Sequence, residues 1–265
     1  MVPVFMKKSS RLITIAIPNY NNGKYITLAL ESVFSQTKNE FDLIISDNFS
    51  TDSSLKKIQA VNDAIKIITP SEFLTYEMHL EFILSEVTTP YVVFFAGDDV
   101  LDENFIDRAT SILKNNNVHD ALLFKCNPFS EEMCNYVNVE YGIYEKLKHF
   151  IPKSILGANG PIGNISGNVY SVNFLTNLFE RNRKEVSFAG PSIDHLITLL
   201  ACQKSCKTHI GMYASVYYRV HDGVWGPNKT YDFSIRHANF CMKMIGSQNI
   251  SMISKLGLLV RSLLS

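Results

Sequence analysis

The run Tyr91-Val92-Val93-Phe94-Phe95, followed by Ala96-Gly97-Asp98-Asp99-Val100, constrains the fold more than any other part of the chain. Its β-branched and aromatic residues succeed one another without polar alternation, so a strand here has no face left for water. Strands of that kind belong to parallel sheets covered by helices on both sides. The run then stops at a glycine and two acids. In an open α/β sheet the carboxyl ends of the strands border the ligand crevice, which puts Asp98 and Asp99 where chemistry is done. Mg²⁺ or Mn²⁺ is held by one or two carboxylates together with water and phosphate oxygens, so the pair suits a diphosphate-bearing ligand. Helix capping is the competing duty. The helix expected from Glu103 to about Leu113 already has an N-cap in Asp102, which relieves Asp98 and Asp99 of it.

Strands and helices alternate on either side of that run. Leu12 to Ile17 reads as a strand ended by Pro18, and Asn19-Tyr20-Asn21-Asn22-Gly23 as a turn-rich loop. Tyr25, Leu28, Ala29, Ser32 and Val33 then fall on one helical stripe that runs to about Gln36. Phe41 to Ser46 is a second strand, and the polar loop Asp47 to Asp52 supplies caps for a helix over 53–60. Ile65 to Ile68 is a third strand, and 72–87 a helix with Leu80, Ile83, Leu84 and Val87 on one face. The class this predicts is α/β, with a doubly wound, mostly parallel sheet flanked by helices.

The second half is less regular. Ala121 to Cys126 and Thr208 to Val220 read as extended chain, and Gly190-Pro191-Ser192 opens a helix with Asp194 in its first turn. Residues 154–170 are rich in Gly and Asn, a composition for loops that bring backbone close to a ligand, but no phosphate-binding loop pattern can be laid on them. Residues 226–265 are expected to form a C-terminal helical appendage of two helices, about 231–246 and 249–264. Ile253, Leu256, Leu259, Val260, Leu263 and Leu264 share one side of the second. That face suits either peripheral contact with a membrane surface or packing on the same domain or a second copy in a homo-oligomer.

Bulk properties exclude several classes. Lys plus Arg and Asp plus Glu both number 25, so no global field draws the chain onto nucleic acid. Five scattered cysteines without a C-x-x-C pair form neither a disulfide framework nor a zinc site. No apolar signal segment precedes Lys7-Lys8, and no apolar run is long enough to span a bilayer, so a cytoplasmic location is expected.

Four short motifs occur in series: Ile17-Pro18-Asn19-Tyr20-Asn21, Glu31-Ser32-Val33-Phe34-Ser35-Gln36-Thr37, Asp47-Asn48-Phe49-Ser50-Thr51-Asp52, and Ala96-Gly97-Asp98-Asp99. Their order and spacing closely resemble the family 2 inverting glycosyltransferases of GT-A fold, of the kind that builds bacterial surface polysaccharides. Ile193-Asp194 and Tyr218-Arg219-Val220-His221 resemble the family's later motifs, so the likeness spans about Leu12 to Gly223. It implies a transferase domain over 1–225, with a nucleotide-sugar half over about 11–110 and an acceptor half over about 111–225. It also implies that Pro18, Asn19, Tyr20 and Asn22 line the nucleoside pocket, and that Asp47 reads the base edge. Asp98, with Asp99 and His221, would hold Mn²⁺ or Mg²⁺ in a DXD-like site. Asp194 resembles the catalytic base. Apart from the resemblance, the Gly- and Asn-rich segment 154–170, which includes Asn164 and Asn168, is expected to shape the acceptor side. Two positions depart from the pattern: Ala96 replaces the first acid of the D-x-D, and Ile193 replaces a glutamate.

One carboxylate and one cation suffice for inverting transfer, because a single base takes the acceptor proton while the metal holds charge on the leaving diphosphate. The resemblance therefore implies transfer of a sugar from a nucleoside diphosphate donor to a hydroxyl of a glycan. In O-antigen or capsule assembly that glycan is carried on a polyprenyl diphosphate at the inner face of the membrane. Two other readings stay open. A sugar-nucleotide nucleotidyltransferase would open with a Gly-rich, cationic loop after the first strand, and a catalytically silent nucleotide- or glycan-binding module would account for Ala96 and Ile193.

Overall fold

The computed structural model describes residues 10–115, 119–129, 165–190, 193–201 and 206–219. Strands β1 (Ile13–Asn19), β2 (Phe41–Asp47), β3 (Ile67–Ile68) and β4 (Tyr91–Phe94) alternate with helices α1 (Ile26–Phe34), α2 (Ser54–Val61) and α3 (Tyr76–Ser85). β5 (Val100–Leu101), α4 (Phe105–Asn115), β6 (Ala121–Phe129) and β7 (Val169–Ser171) follow. Helices α5 (Val172–Arg181), α6 (Arg183–Ala189) and α7 (Ile193–Ala201) then lead to β8 (Thr208–Arg219). The eight strands form one sheet in the order β3-β2-β1-β4-β7-β6-β8-β5. From β3 to β4 every pairing is parallel, whereas β7 lies antiparallel to both β4 and β6, and β5 antiparallel to β8. The sheet is mostly parallel, as expected, but its second half is mixed.

The opening run behaves as its composition requires. Val92 and Phe94 face a core formed with α3, α5, α6 and α7, while Tyr91, Val93 and Phe95 face a second core formed with α1 and α4. Both faces are dry: Val92, Val93, Phe94 and Phe95 have no exposed surface. A fully buried side chain of this size contributes about 1.5–3 kcal/mol, so the strand that ends in the two acids is firmly held in the sheet.

Several expectations need adjusting. The helix expected over 72–87 runs only from Tyr76 to Ser85, because residues 73–75 are drawn into the neighbouring loop, where Leu74 exchanges two hydrogen bonds with the Asn48 side chain. The helix expected from Glu103 begins at Phe105, with the Asp102 carboxylate accepting from the Asn104 N–H at 3.0 Å. Residues 165–170 are not an open ligand loop. Asn168 is buried and its Oδ1 accepts from the Phe124 N–H at 2.9 Å, and Val169 and Tyr170 enter the sheet as β7. That removes Asn168 from the acceptor side, while Asn164 lies outside the described residues. The expected C-terminal helices and the boundary near residue 225 also lie outside them. Among the described residues, no helix is long and apolar enough to cross a membrane.

Candidate active site

The parallel register of β1 on β2 ends with Asn19 opposite Asp47, which brings two of the expected nucleoside-pocket residues together at the carboxyl edge. Both are buried. Asn19 Nδ2 donates to Asp47 Oδ1 at 2.7 Å and lies 3.1 Å from the hydroxyls of Ser50 and Ser54, while Asp47 Oδ2 accepts from the Ser50 N–H at 3.0 Å. A carboxylate held this way is pre-aimed, because its lost hydration is replaced by fixed donors.

The two loops beyond these strands are laced to each other. Asn21 Oδ1 accepts from the N–H groups of Thr51 and Asp52, and the Asn21 N–H donates to Ser50 Oγ. The Gly23 N–H donates to Asp52 Oδ2 at 2.7 Å, and a Cβ on Gly23 would stand at that same distance from it. A side chain there would push the Asp52 carboxylate and the Ser53 hydroxyl out of place. Asp52 thus has the capping role that its place before α2 implies: its Oδ1 accepts from both the N–H and the hydroxyl of Ser54. Burial works to raise the Asp52 carboxyl, but the hydrogen bonds from Ser54 and Gly23 outweigh it and hold the group below the usual range.

Tyr20 is 51% exposed and meets the Phe73 ring edge-on at 5.2 Å. Phe73 and Phe49 are exposed as well, and Phe49 adopts φ 63°, a left-handed conformation that bulky residues seldom take. Such strain persists where surrounding bonds over-determine the backbone, as the bonds from Asn48 and Ser50 do here. Asn22 lies against the other site loop: a Cβ on Gly97 would come within 2.9 Å of its Nδ2.

The acidic turn sits at the end of β4. Asp98 is half-buried, whereas Asp99 is 1% exposed and its Oδ1 accepts from the Arg219 N–H at 3.0 Å. The Ala96 N–H donates to Ser166 Oγ, so the position without an acid is tied into the scaffold through its main chain. Ile193 is fully buried in the core against α3, so this position supplies packing instead of charge. Asp194 is half-buried in the first turn of α7, where the helix dipole favours a negative group.

Tyr76 and Tyr218 register how close the acids are to one another. Burial lifts the Tyr76 phenol well above its ordinary range, and the charges of Asp194, Asp98 and Asp99 all push the same way. Burial likewise pushes Tyr218 up to about 12, with Asp99, Asp98 and Asp194 among the contributors. Asp194, a hundred residues from the acidic turn in the chain, therefore shares one electrostatic neighbourhood with it. The two phenols stay protonated there and carry no charge of their own.

The donor set fits a hard divalent cation completed by substrate oxygens, since Asp98 supplies one half-buried carboxylate at the strand ends. Among the described residues, no group of three or more His, Cys, Asp and Glu is arranged to hold a metal unaided. His221 lies outside them.

Three groups of residues escaped the sequence reading. His79 is buried on α3 with Nε2 2.7 Å from Ser46 Oγ, and desolvation pushes it down to about 4 against the opposing pull of Asp47. Its position beside Leu80 on the apolar face of α3 was the available signal. Asn48 escaped because its partner, Leu74, is main chain. The motif around Gln36 proves to be scaffold: Gln36 donates to Asp102 O at 2.7 Å and accepts from the Ile106 N–H, and Ser32 Oγ accepts from the Leu101 N–H. These bonds fix the segment that follows the acidic turn.

Comparisons with known proteins agree with this geometry. The sequence profile described as Glycosyl transferase family 2 matches residues 14–172, more than half of the chain. A teichoic acid poly(glycerol phosphate) polymerase of Staphylococcus epidermidis is 33% identical over 132 residues, which is 48% of this chain and 18% of that one. The chain thus spans less than a fifth of that relative. Among solved structures, S. aureus TarS in complex with UDP superposes with a TM-score of 0.61 at 18% identity, covering 95% of this chain and 70% of that one. A mannosyltransferase of Pyrobaculum calidifontis, in complex with GDP-Man and Mn²⁺, gives 0.60 at 14% identity, covering 97% and 71%.

Proposed function

Since the chain belongs to glycosyl transferase family 2, with a GT-A fold and relatives in teichoic acid synthesis, we propose that it is a metal-dependent, inverting transferase acting on a nucleoside diphosphate sugar. The observation that carries the reading is that Asn19 fixes Asp47 at the carboxyl edge of β1 and β2, while β4, the other neighbour of β1, leads into the Asp98–Asp99 turn. We assign the donor base to uracil. Asp47, held by Asn19 and Ser50, accepts from the ring N–H, which disfavours cytosine, whose ring N3 carries no proton; thymine and guanine share such an N–H, and the choice of uracil over them leans on the ligands of a structural neighbour. TarS, a structural neighbour, has been captured with both UDP and UDP-GlcNAc.

In the proposed reaction Asp194 takes the proton of an acceptor hydroxyl as its oxygen bonds to the anomeric carbon. The bond from that carbon to the diphosphate breaks, and configuration inverts. Asp98, with Asp99 behind it, would hold the divalent cation, which when bound neutralises charge on the departing diphosphate. Tyr76 and Tyr218, being protonated, do not compete with Asp194 as bases. The acceptor is a surface-polymer glycan, carried on a polyprenyl diphosphate.

The test is incubation with UDP-sugars and a panel of glycan acceptors, reading UDP release and the anomeric configuration of the product by NMR. Transfer with inversion supports the reading. Retained configuration contradicts it, as does UDP-sugar left intact until inorganic pyrophosphate is added and then converted to UTP and sugar 1-phosphate, the result that identifies a nucleotidyltransferase.

A further inference from the structure

Arg219 closes β8 with only 6% of its surface exposed. A guanidinium does not shed its charge in a protein, so burial obliges it to find partners. Its Nε–H donates to the Asp98 carbonyl at 2.8 Å, and its main-chain N–H donates to Asp99 Oδ1 at 3.0 Å. The guanidinium carbon lies 4.7 Å from the centre of the Tyr25 ring, just before α1, and 4.5 Å from that of Phe129, which ends β6 and is the register partner of Arg219. A single residue therefore joins the entry to α1, the acidic turn and the ends of β6 and β8.

We propose that Arg219 is a positioning residue for donor binding, holding the Asp98–Asp99 turn in the shape in which Asp98 can share a divalent cation with the donor diphosphate. The proposal rests on the metal-dependent reading above. Two adjacent carboxylates on one tight turn repel each other, and such a turn keeps its form only if something opposes the repulsion. Arg219 does so at two points, the main chain of Asp98 and the side chain of Asp99. That fixes how Asp98 departs from β4. The flat contacts with Tyr25 and Phe129 set the guanidinium plane, and with it the direction of the Nε–H; a lysine offers neither the plane nor the fork. Asp98 would touch the cation, and Arg219 acts only through it.

The experiment is calorimetric titration of UDP into the full chain across a series of Mn²⁺ concentrations and again in chelator, for the wild type, Arg219→Met and Arg219→Lys, with each unfolding midpoint recorded. Groups that orient metal ligands typically change metal affinity about 10–100-fold when removed. Arg219→Met should accordingly raise the half-saturating Mn²⁺ concentration about tenfold or more while leaving UDP affinity in chelator within about twofold. Arg219→Lys should shift it in the same direction by less. If the Met variant does not fold, the Lys variant and Tyr25→Leu, which removes one wall of the stack, carry the test with the same sign. An unchanged half-saturation in the folded variants, with only a lower unfolding midpoint, would show a structural cation and overturn the proposal. Wild-type UDP binding that is absent, or indifferent to Mn²⁺, instead removes the donor or metal reading itself, and is recognised before any variant is made.

Discussion

Around β1 and β2 the loops at the carboxyl edge are held by side chains that bind main chain in the neighbouring loop: Asn21 to residues 51 and 52, Asp52 to Gly23, and Asn48 to Leu74. Around β6 and β8 the crevice is built another way. β7 wedges between β4 and β6, Asn168 caps a strand N–H, and Arg219 reaches back to the acidic turn across 120 residues of sequence. The first arrangement joins neighbouring loops through polar side chains and main chain, whereas the second depends on packing and contacts over longer stretches of sequence. Residue identity in the first region is therefore dictated by hydrogen-bond geometry, and in the second by burial.

Substitutions can break or sharpen that contrast. Asp194→Asn is expected to have the largest effect, lowering kcat about a hundredfold or more with donor affinity retained, because it removes a base but no donor contact. A parallel loss of UDP affinity would place Asp194 among the binding residues. Asp98→Ala should cancel the Mn²⁺-dependent part of UDP binding, about tenfold or more. Asp47→Ala should weaken UDP binding with and without metal, by roughly 1.5–3 kcal/mol if its bond to the base is charge-assisted. Together these two variants separate the diphosphate end of the site from the base end, and equal metal dependence in both would merge them.

The glycines extend the test to stability. Gly167 has φ 74°, and an added Cβ would lie 2.5 Å from Ser215 Oγ and 2.9 Å from Val216 Cβ. Gly167→Ala should cost about 1–3 kcal/mol, read as a lower unfolding midpoint. Gly23→Ala acts on the laced loops and should weaken UDP binding more than it lowers that midpoint. The reverse ranking would mean that the loops, not the wedge, carry the stability.

The smallest effect at neutral pH concerns His79. Burial lowers it from the ordinary histidine value of 6.5 to about 4 in the folded chain, so between those values the unfolded chain binds more protons than the folded one. The stability contributed by neutral His79 is fully present above about pH 6.5 and is lost as pH falls toward about 4. A His79→Gln variant should flatten the pH dependence of the unfolding midpoint in that window, and an unaltered slope would mean that another group titrates there.

Much of the first half was legible in the sequence, because alternating strands and helices and the loop motifs are local signals. β1, β2, β4, α1 and α2 lie within a few residues of where their patterns put them, and Asp52 caps α2 as its position suggests. β7 and helices α5 and α6 were not legible. A three-residue strand is shorter than any periodic window, and Val169-Tyr170-Ser171 joins the sheet only because β4 and β6 offer it two edges. The burial of Asp99 was equally hidden, since its partner, the Arg219 N–H, belongs to main chain far along the sequence. Gln36 stands in one of the motifs that carry the resemblance, and its bonds to Asp102 and Ile106 make that motif structural.

Calorimetric titration with UDP, GDP, dTDP and CDP, each with Mn²⁺ and again with chelator, tests the central claim most directly. The account predicts that UDP binds, that binding weakens about tenfold or more in chelator, and that the other three bind more weakly than UDP. Binding of none of the four, or binding of UDP indifferent to chelator, would contradict the metal-assisted donor site assigned to Asp47 and Asp98.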